Sequence, residues 1–250
     1  IDLSPDHALP ALPEGIDLVL QGDKLIYVSD STAEKEKQYH ELITPRGGEF
    51  KITLPDGTFV HLNSNSKLRF PKNFAPDKRE IFLSGEAYFE VQRDTTKPFI
   101  VVMNGNEVRV LGTEFNVRSY KDEKCQFTTL VTGKVLLTTS DRKCMELLPN
   151  EQGIVDPQGE LRKEQVDVAL YTAWKDGNFC FENQRLEQIM EQLKRWYEIE
   201  VFYAREEVKN CRFTGDLKKY DNFEKIVKMI EEVAGVKINI NGNSIIIGAK

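Results

Sequence analysis

The chain of 250 residues contains few side chains that bind transition metals or carry redox chemistry. It has three histidines and four cysteines, and no two cysteines form a CxxC pair. A zinc site or a thioredoxin-type site is therefore not expected. We interpret the cysteines as small buried hydrophobic residues; they are Cys125, Cys144, Cys180 and Cys211. A disulfide between Cys125 and Cys144 is the alternative if the compartment is oxidising.

Long apolar runs and strong basic clusters are also missing. No run approaches the ~20 apolar residues of a membrane helix. The chain starts at Ile1 without the basic and apolar segments of a signal peptide, so we interpret it as a processed form or an excised fragment. A membrane anchor upstream is left open. The formal net charge of -6 disfavours nucleic acid as a partner.

Catalytic motifs are absent as well. No HExxH, GxSxG, P-loop or dinucleotide fingerprint occurs. Glu86 and Glu90 lie four residues apart on one predicted strand, and hence on one face, where they could act as the carboxylate pair of a β-sandwich hydrolase. Acidic residues on the wet face of a strand are the ordinary alternative. We predict no enzyme, no cofactor and no metal site.

What the sequence does contain is a recurring unit of a turn followed by a short alternating strand. The turn Pro55-Asp56-Gly57 separates the alternating runs Phe50–Leu54 and Thr58–Leu62, which predicts a hairpin. Further turns precede predicted strands at Lys24–Val28, Glu107–Leu111, Lys134–Thr138 and Glu160–Arg162. After an irregular lead-in over 1–15, we therefore predict a mainly β domain over 16–165. A two-sheet sandwich and a loose β-solenoid both remain open.

Three segments of this domain carry their own predictions. The charged residues 33–42 predict a short helix or a solvated loop. Residues 70–79 contain two prolines and predict a loop. The segment 79–91, with the sequence REIFLSGEAYFEV, predicts two strands about Gly85.

After Gly177 the pattern changes to alternating strands and helices. Apolar residues at i, i+3, i+4 and i+7 predict one helix from Leu186 and another from Phe223. The offset of 37 (223 − 186) also relates Ile199 to Val236, at the start of the strand that follows each helix. We therefore predict a small α+β domain over 174–250 that consists of duplicated strand-helix-strand units.

Four segments resemble the FecR-type anti-sigma regulators. They are TPRGGEFKITLPDGT at 44–58, SGEAYFEV at 84–91, VLGTEFNV at 110–117 and the stretch 174–201, which ends in RWYEIEV. The terminal α+β domain is similar to the short signalling domain of secretins and TonB-dependent transducers, and in FecR-type proteins a domain of this kind closes the chain.

This resemblance implies a periplasmic sensor region that is tethered to the inner membrane by an upstream helix not in this chain. Such a region relays a signal, by protein-protein docking, from an outer-membrane TonB-dependent receptor to a cytoplasmic sigma factor. The implied partners are the N-terminal signalling domain of the receptor and, through a segment absent from this chain, the sigma factor. No nucleic acid and no small-molecule substrate is implied.

The resemblance also directs attention to two sets of residues. Short sheets with free edges can accept a strand from a partner, and the predicted edge residues are Val201, Tyr203, Arg212, Phe213, Ile245 and Ile247. Some similar proteins cleave themselves between Gly and Thr, which makes Gly112 and Thr113 candidates for self-cleavage. In that reaction the Thr hydroxyl attacks the preceding carbonyl and needs a neighbouring base. An ordinary turn or bulge is the alternative.

A carbohydrate-binding or adhesion β protein is a rival function. It would use exposed aromatic residues, for which the candidates are Trp174, Trp196, Tyr197 and Phe202. Packing in a core is the alternative role for these side chains. The duplicated α+β tail favours a protein-docking module, because neither the carbohydrate-binding function nor the hydrolase needs it.

Overall fold

A computed structural model describes residues 17–21, 24–28 and 38–250 of the chain. The chain divides between Val168 and Ala169 into a β-rich N-terminal unit and an α+β C-terminal unit. The predicted fold class is therefore confirmed. The helices within the described ranges are all too short or too polar to cross a membrane.

The N-terminal unit is a sheet of fifteen strands in the described residues. The strands are β1 Asp17–Gln21, β2 Lys24–Val28, β3 Tyr39–Thr44, β4 Phe50–Thr53, β5 Phe59–Leu62, β6 Ser66–Pro71, β7 Arg79–Glu90, β8 Phe99–Met103, β9 Asn106–Val110, β10 Glu114–Ser119, β11 Gln126–Thr132, β12 Val135–Thr138, β13 Cys144–Leu147, β14 Glu151–Val155 and β15 Leu161–Gln165.

The long strand β7 divides this sheet into two halves. Its first part pairs with β6 and β8, and its second part pairs with β5 and β10. Apolar residues of both halves meet in one core, for example Ile81 and Phe99 from the first half and Val60 and Phe115 from the second. The sheet thus folds over on itself around a shared core, which favours the sandwich over the solenoid.

Gly85 lies where β7 passes from one half to the other. Its φ is 109°, and a Cβ atom there would come within 2.3 Å of Ser66 Oγ and 2.6 Å of Ser66 Cα. Only glycine fits this conformation and this close approach. The predicted pair of strands about Gly85 is therefore a single strand, because glycine redirects the chain without interrupting its pairing.

The predicted hairpin about Pro55-Asp56-Gly57 is confirmed. Strands β4 and β5 are antiparallel, with Ile52 opposite Val60. The Asp56 carboxylate accepts hydrogen bonds from the backbone N–H of Thr58 at 3.1 Å and from its hydroxyl at 2.7 Å. An Asx-type turn of this kind fixes the geometry of the hairpin locally.

Two other predictions need correction. Residues 38–42 form neither a helix nor a loop, because Tyr39–Thr44 is a strand in which Leu42 is buried opposite Leu68 of β6. Residues 33–37 and the lead-in 1–15 lie outside the described residues.

The four cysteines are free, so the alternative bridge from Cys125 to Cys144 is not formed. Cys144 is exposed and the other three cysteines are only partly buried, which contradicts their interpretation as buried hydrophobic residues.

The C-terminal unit packs two helices with a two-stranded sheet, β16-β18, and a three-stranded sheet, β17-β20-β19. Its elements are α1 Val168–Thr172, a 3-10 turn at Ala173–Asp176, β16 Asn178–Arg185, α2 Leu186–Trp196, β17 Glu200–Tyr203, a 3-10 turn at Glu206–Asn210, β18 Arg212–Lys218, α3 Phe223–Ala234, β19 Val236–Asn241 and β20 Ser244–Ala249.

This order repeats the unit strand, helix, strand, as the sequence predicts. The helices begin 37 residues apart, at Leu186 and Phe223, and both bury the predicted apolar face. The equivalent strands β16 and β18 are antiparallel. Since β17 is parallel and β19 antiparallel to β20, β17 and β19 are also antiparallel. The two repeats are thus related by an approximate two-fold axis, and β20 is an additional strand between β17 and β19.

Arg79, at the start of β7, connects three segments of the N-terminal unit. Its side chain is 2% exposed, and Nη1 donates to the Asp56 carboxylate and to the Gln92 carbonyl, both at 2.8 Å. Nε donates to the Lys97 carbonyl at 2.9 Å. One guanidinium therefore joins the hairpin turn, the start of β7 and the loop that leads into β8.

The Asp56→Ala variant should lose about 3–5 kcal/mol of unfolding free energy, because Arg79 would remain buried without its anionic partner. Asp56→Asn removes the charge but keeps an acceptor for Thr58. A comparison of the two variants therefore distinguishes the contribution of the charge from that of the turn hydrogen bonds. Urea denaturation measures both effects. The control is Lys67→Gln, which removes an exposed ion pair with Glu41 and should cost at most about 1 kcal/mol. Equal losses in Asp56→Ala and the control would contradict this role of Asp56.

Candidate partner-binding edge of the C-terminal unit

Strand β17 forms one edge of the three-stranded sheet. It pairs in parallel with β20, and the N–H groups of Glu200 and Ala204 donate to the carbonyls of Asn243 and Ile247 at 2.8 and 2.9 Å. Along a parallel strand, successive residues direct their backbone polar groups to opposite sides. The intervening odd-numbered residues, Val201 and Tyr203, therefore direct their N–H and C=O groups away from β20, toward the open edge. The sequence predicted both as edge residues.

The solvent-facing side of this edge carries an apolar pair beside the exposed Glu200. Phe202 is 53% exposed and lies opposite Ile246 of β20, which is 44% exposed. The side chains of Val201 and Tyr203 pack on the other side, against the core of the unit. An edge strand beside exposed apolar side chains is suited to accepting another strand.

Strand β19, at the opposite edge, has a different character. Its outer face carries Lys237, Asn239 and Asn241, all of which are exposed. Charged and polar side chains of this kind protect a sheet edge from pairing with another chain. Of the two edges of this sheet, β17 is therefore the better candidate for partner binding.

The hydroxyl of Tyr203 adds a polar feature to the β17 edge. It is buried and has no hydrogen-bond partner among the described residues. Burial, followed by the charges of Glu191 and Glu187, raises the pKa of Tyr203, so the hydroxyl remains protonated.

The other predicted edge residues lie elsewhere. Arg212 and Phe213 belong to β18, which is an edge strand of the two-stranded sheet. Phe213 is buried there, and Arg212 donates to the Asn183 carbonyl at 2.7 Å. Ile245 and Ile247 are fully buried on β20. The prediction that this final strand is an edge is wrong, because β20 enters between β17 and β19.

Gly112 and Thr113 occupy the tight connection between β9 and β10. A Cβ atom on Gly112 would lie 2.7 Å from Arg93 Cα, so close backbone packing explains the glycine. Thr113 is 4% exposed, and its hydroxyl donates to the Lys134 carbonyl at 3.1 Å. A peptide carbonyl is too weakly basic to activate a hydroxyl, and self-cleavage at this bond would need another base. It stays a prediction.

Glu86 and Glu90 have different environments. Glu86 is 8% exposed and accepts hydrogen bonds from the side-chain amides of Asn63 at 2.8 Å and Asn116 at 2.9 Å. Burial raises the pKa of Glu86, while the charge of Arg118 and the two amide hydrogen bonds act in the opposite direction. Glu90 is exposed. These environments identify Glu86 as a buried carboxylate whose hydrogen bonds are satisfied. They do not support a catalytic pair of Glu86 and Glu90.

The aromatic candidates for sugar binding are mostly internal. Trp174 is 6% exposed, and Trp196 and Tyr197 pack against the core of the C-terminal unit. Lys219 Nζ lies 3.7 Å from the centroid of the Trp196 ring, in cation-π contact. Of the four candidates, Phe202 alone is largely exposed. No group of three potential metal ligands occurs in the described part of the chain.

Sequence reasoning did not predict that Ile246 lies opposite Phe202 on the exposed face. In the sequence, Ser244–Ile247 is simply an apolar terminal strand. Its pairing with β17 joins residues 44 positions apart (246 − 202), and no local signal predicts such a register. Alternation within the strand could have shown only that Ile246 faces away from Ile245 and Ile247.

Comparisons with known proteins place both units in one family. The family model described as FecR protein matches residues 40–136, and that described as FecR, C-terminal matches residues 178–247. Two crystal structures, at 1.65 and 2.50 Å, provisionally described as an anti-sigma factor from Parabacteroides distasonis ATCC 8503, are each similar with a TM-score of 0.78 and 32% identity. The matches cover 84% and 85% of this chain and 99% and 100% of those chains. Comparison with curated proteins gives no match.

The raised pKa of Glu86 predicts how stability depends on pH. Because the folded state holds this proton more tightly, the contribution of Glu86 is fully present below the unfolded value of 4.5 and is lost as pH rises through the folded pKa. Relative to Glu86→Gln, the wild-type protein should therefore lose unfolding free energy as pH is raised from about 5 to about 8. Urea denaturation of both proteins across this range measures the difference. A constant difference, or one that grows in favour of the wild type, would contradict the assignment.

Proposed function

The chain belongs to the FecR family, and from this premise we propose that it is the periplasmic sensor region of an anti-sigma regulator. The family and the anti-sigma description of the similar structures support a regulatory sensor role. In the proposal, the chain relays a signal from an outer-membrane TonB-dependent receptor to a cytoplasmic sigma factor. A helix upstream of this chain tethers it to the inner membrane, and a segment outside the chain contacts the sigma factor.

The proposed contact with the receptor is strand addition at β17. An incoming strand of the receptor's N-terminal signalling domain would pair with the outward N–H and C=O groups of Val201 and Tyr203. Phe202 and Ile246 would give the contact its side-chain selectivity, because burying their exposed parts favours an apolar residue on the partner. The open apolar edge of β17 is the observation that supports this docking mode most strongly.

The small size of this edge is consistent with a relay. β17 has four residues, of which two direct their backbone groups outward. So few hydrogen bonds, at a net ~1 kcal/mol each, hold a partner reversibly. A contact of this strength can form or dissociate when the receptor changes state, as transmission of a signal requires.

The Phe202→Glu variant tests the docking mode, because it places a charge beside the proposed incoming strand. Titration of the chain with the signalling domains of the source organism's TonB-dependent receptors should show saturable binding to at least one of them. Phe202→Glu should weaken that binding roughly tenfold or more, since a desolvated charge at the contact costs at least ~1.4 kcal/mol.

The matched control is Val233→Glu. Val233 is 58% exposed on α3, which is not a part of the β17 edge, so the same charge there should leave the affinity within about twofold. Unchanged melting temperatures would show that both variants fold. Equal effects of the two substitutions would rule out docking at β17, and binding to none of the receptors would remove the receptor from the proposal.

A further inference from the structure

A surface cleft of about 580 Å³ lies beside the hairpin turn of the N-terminal unit. Its lining consists of Asp56, Arg79 and, from the loop that follows β7, residues 92–95 and 97. We infer that this cleft, the Arg79 cleft, binds a small anion through its oxygen atoms, with a carboxylate or a phosphate as the recognised group.

The charged groups of the Arg79 cleft leave it with an excess of positive charge. Its three cations are Arg79, Arg93 and Lys97, and its two anions are Asp56 and Asp94. Within residues 38–250, neither Arg93 nor Lys97 forms an ion pair, so the Arg93 guanidinium and the Lys97 ammonium group remain available to a ligand. Two such cations at one cleft attract an anion electrostatically.

Both carboxylates of the cleft are already engaged by the protein. Asp56 is bound by Arg79 and by the Thr58 hydroxyl. Asp94 accepts hydrogen bonds from the hydroxyl and N–H of Thr96 at 2.7 and 2.9 Å and from the N–H of Lys97 at 3.2 Å. These bonds, with those from Thr96 as the largest cause, lower the pKa of Asp94. Asp56 is paired with Arg79, and Asp94 offsets one of the two remaining cations, so the cleft keeps a net positive charge.

The guanidinium of Arg79 supplies an unsatisfied donor. Nε and Nη1 are bonded to the Lys97 carbonyl, the Asp56 carboxylate and the Gln92 carbonyl, but Nη2 is buried without a hydrogen-bond partner among the described residues. Buried donors are normally paired, and one that is not is explained most simply by a ligand or ion. A planar guanidinium matches the oxygen spacing of carboxylate and phosphate groups.

These three observations point to the same ligand chemistry. The volume of the Arg79 cleft is within the range of small-molecule sites. An anionic oxygen that enters it would be flanked by Arg93 and Lys97 and would lie beside the buried guanidinium of Arg79. Neutral ligands would leave Arg93 and Lys97 without an anionic partner, so the cleft selects by charge.

NMR titrations of the whole chain with inorganic phosphate and with succinate, at constant ionic strength, test the Arg79 cleft. The variants are Arg93→Gln and Lys97→Gln, because Arg79 itself is needed for folding. Lys121→Gln, which removes an exposed cation from outside the cleft, is the control. We expect saturable shifts at the amides of residues 92–97, with affinity roughly tenfold lower in each cleft variant and unchanged in the control.

The two anions distinguish the recognised group. Saturation by phosphate alone would assign a phosphate site, saturation by succinate alone a carboxylate site, and saturation by both a general site for anionic oxygens. Shifts that fail to saturate with either anion, or that persist unchanged in Arg93→Gln and Lys97→Gln, would overturn the inference.

Discussion

The buried pair of Asp56 and Arg79 is the interaction on which the N-terminal unit depends. A guanidinium that is 2% exposed requires an anion and carbonyl acceptors within its reach. Asp56 can act as that anion only if the hairpin turn holds it in place. The loop carbonyls of Gln92 and Lys97 must also lie within hydrogen-bond distance of the guanidinium. The requirement therefore fixes the turn, the start of β7 and the approach to β8 together. The same requirement brings the lining of the Arg79 cleft into one place.

The C-terminal unit depends on a different constraint, the insertion of one unrepeated strand into a duplicated framework. Two strand-helix-strand repeats related by an approximate two-fold axis would have equivalent edges. Strand β20 breaks this equivalence, because it is parallel to β17 and antiparallel to β19. Phe202 then lies beside Ile246 at one edge, while Lys237 and Asn239 occupy the outer face of the other. The asymmetry distinguishes the β17 edge, with the pair Phe202 and Ile246, from the more polar β19 edge.

Local chemistry was enough to predict the hairpin at Pro55-Asp56-Gly57 and the repeat of the two helices, since turn residues and apolar spacing act over a few residues. Strand Tyr39–Thr44 was missed because neighbouring charges obscured the alternation that buries Leu42. The position of β20 could not be predicted, because the order of strands in a sheet depends on pairing between distant segments. The Arg79 cleft was missed for the same reason, since its residues come from three separate parts of the sequence.

The central claim is that a receptor strand pairs with β17, and amide hydrogen exchange at single-residue resolution tests it most directly. Addition of the receptor's signalling domain should slow exchange at Val201 and Tyr203, whose N–H groups are directed away from β20. The N–H of Phe202, which is directed toward β20, should change much less. Slowed exchange on another surface, with Val201 and Tyr203 unchanged, would contradict docking at this edge.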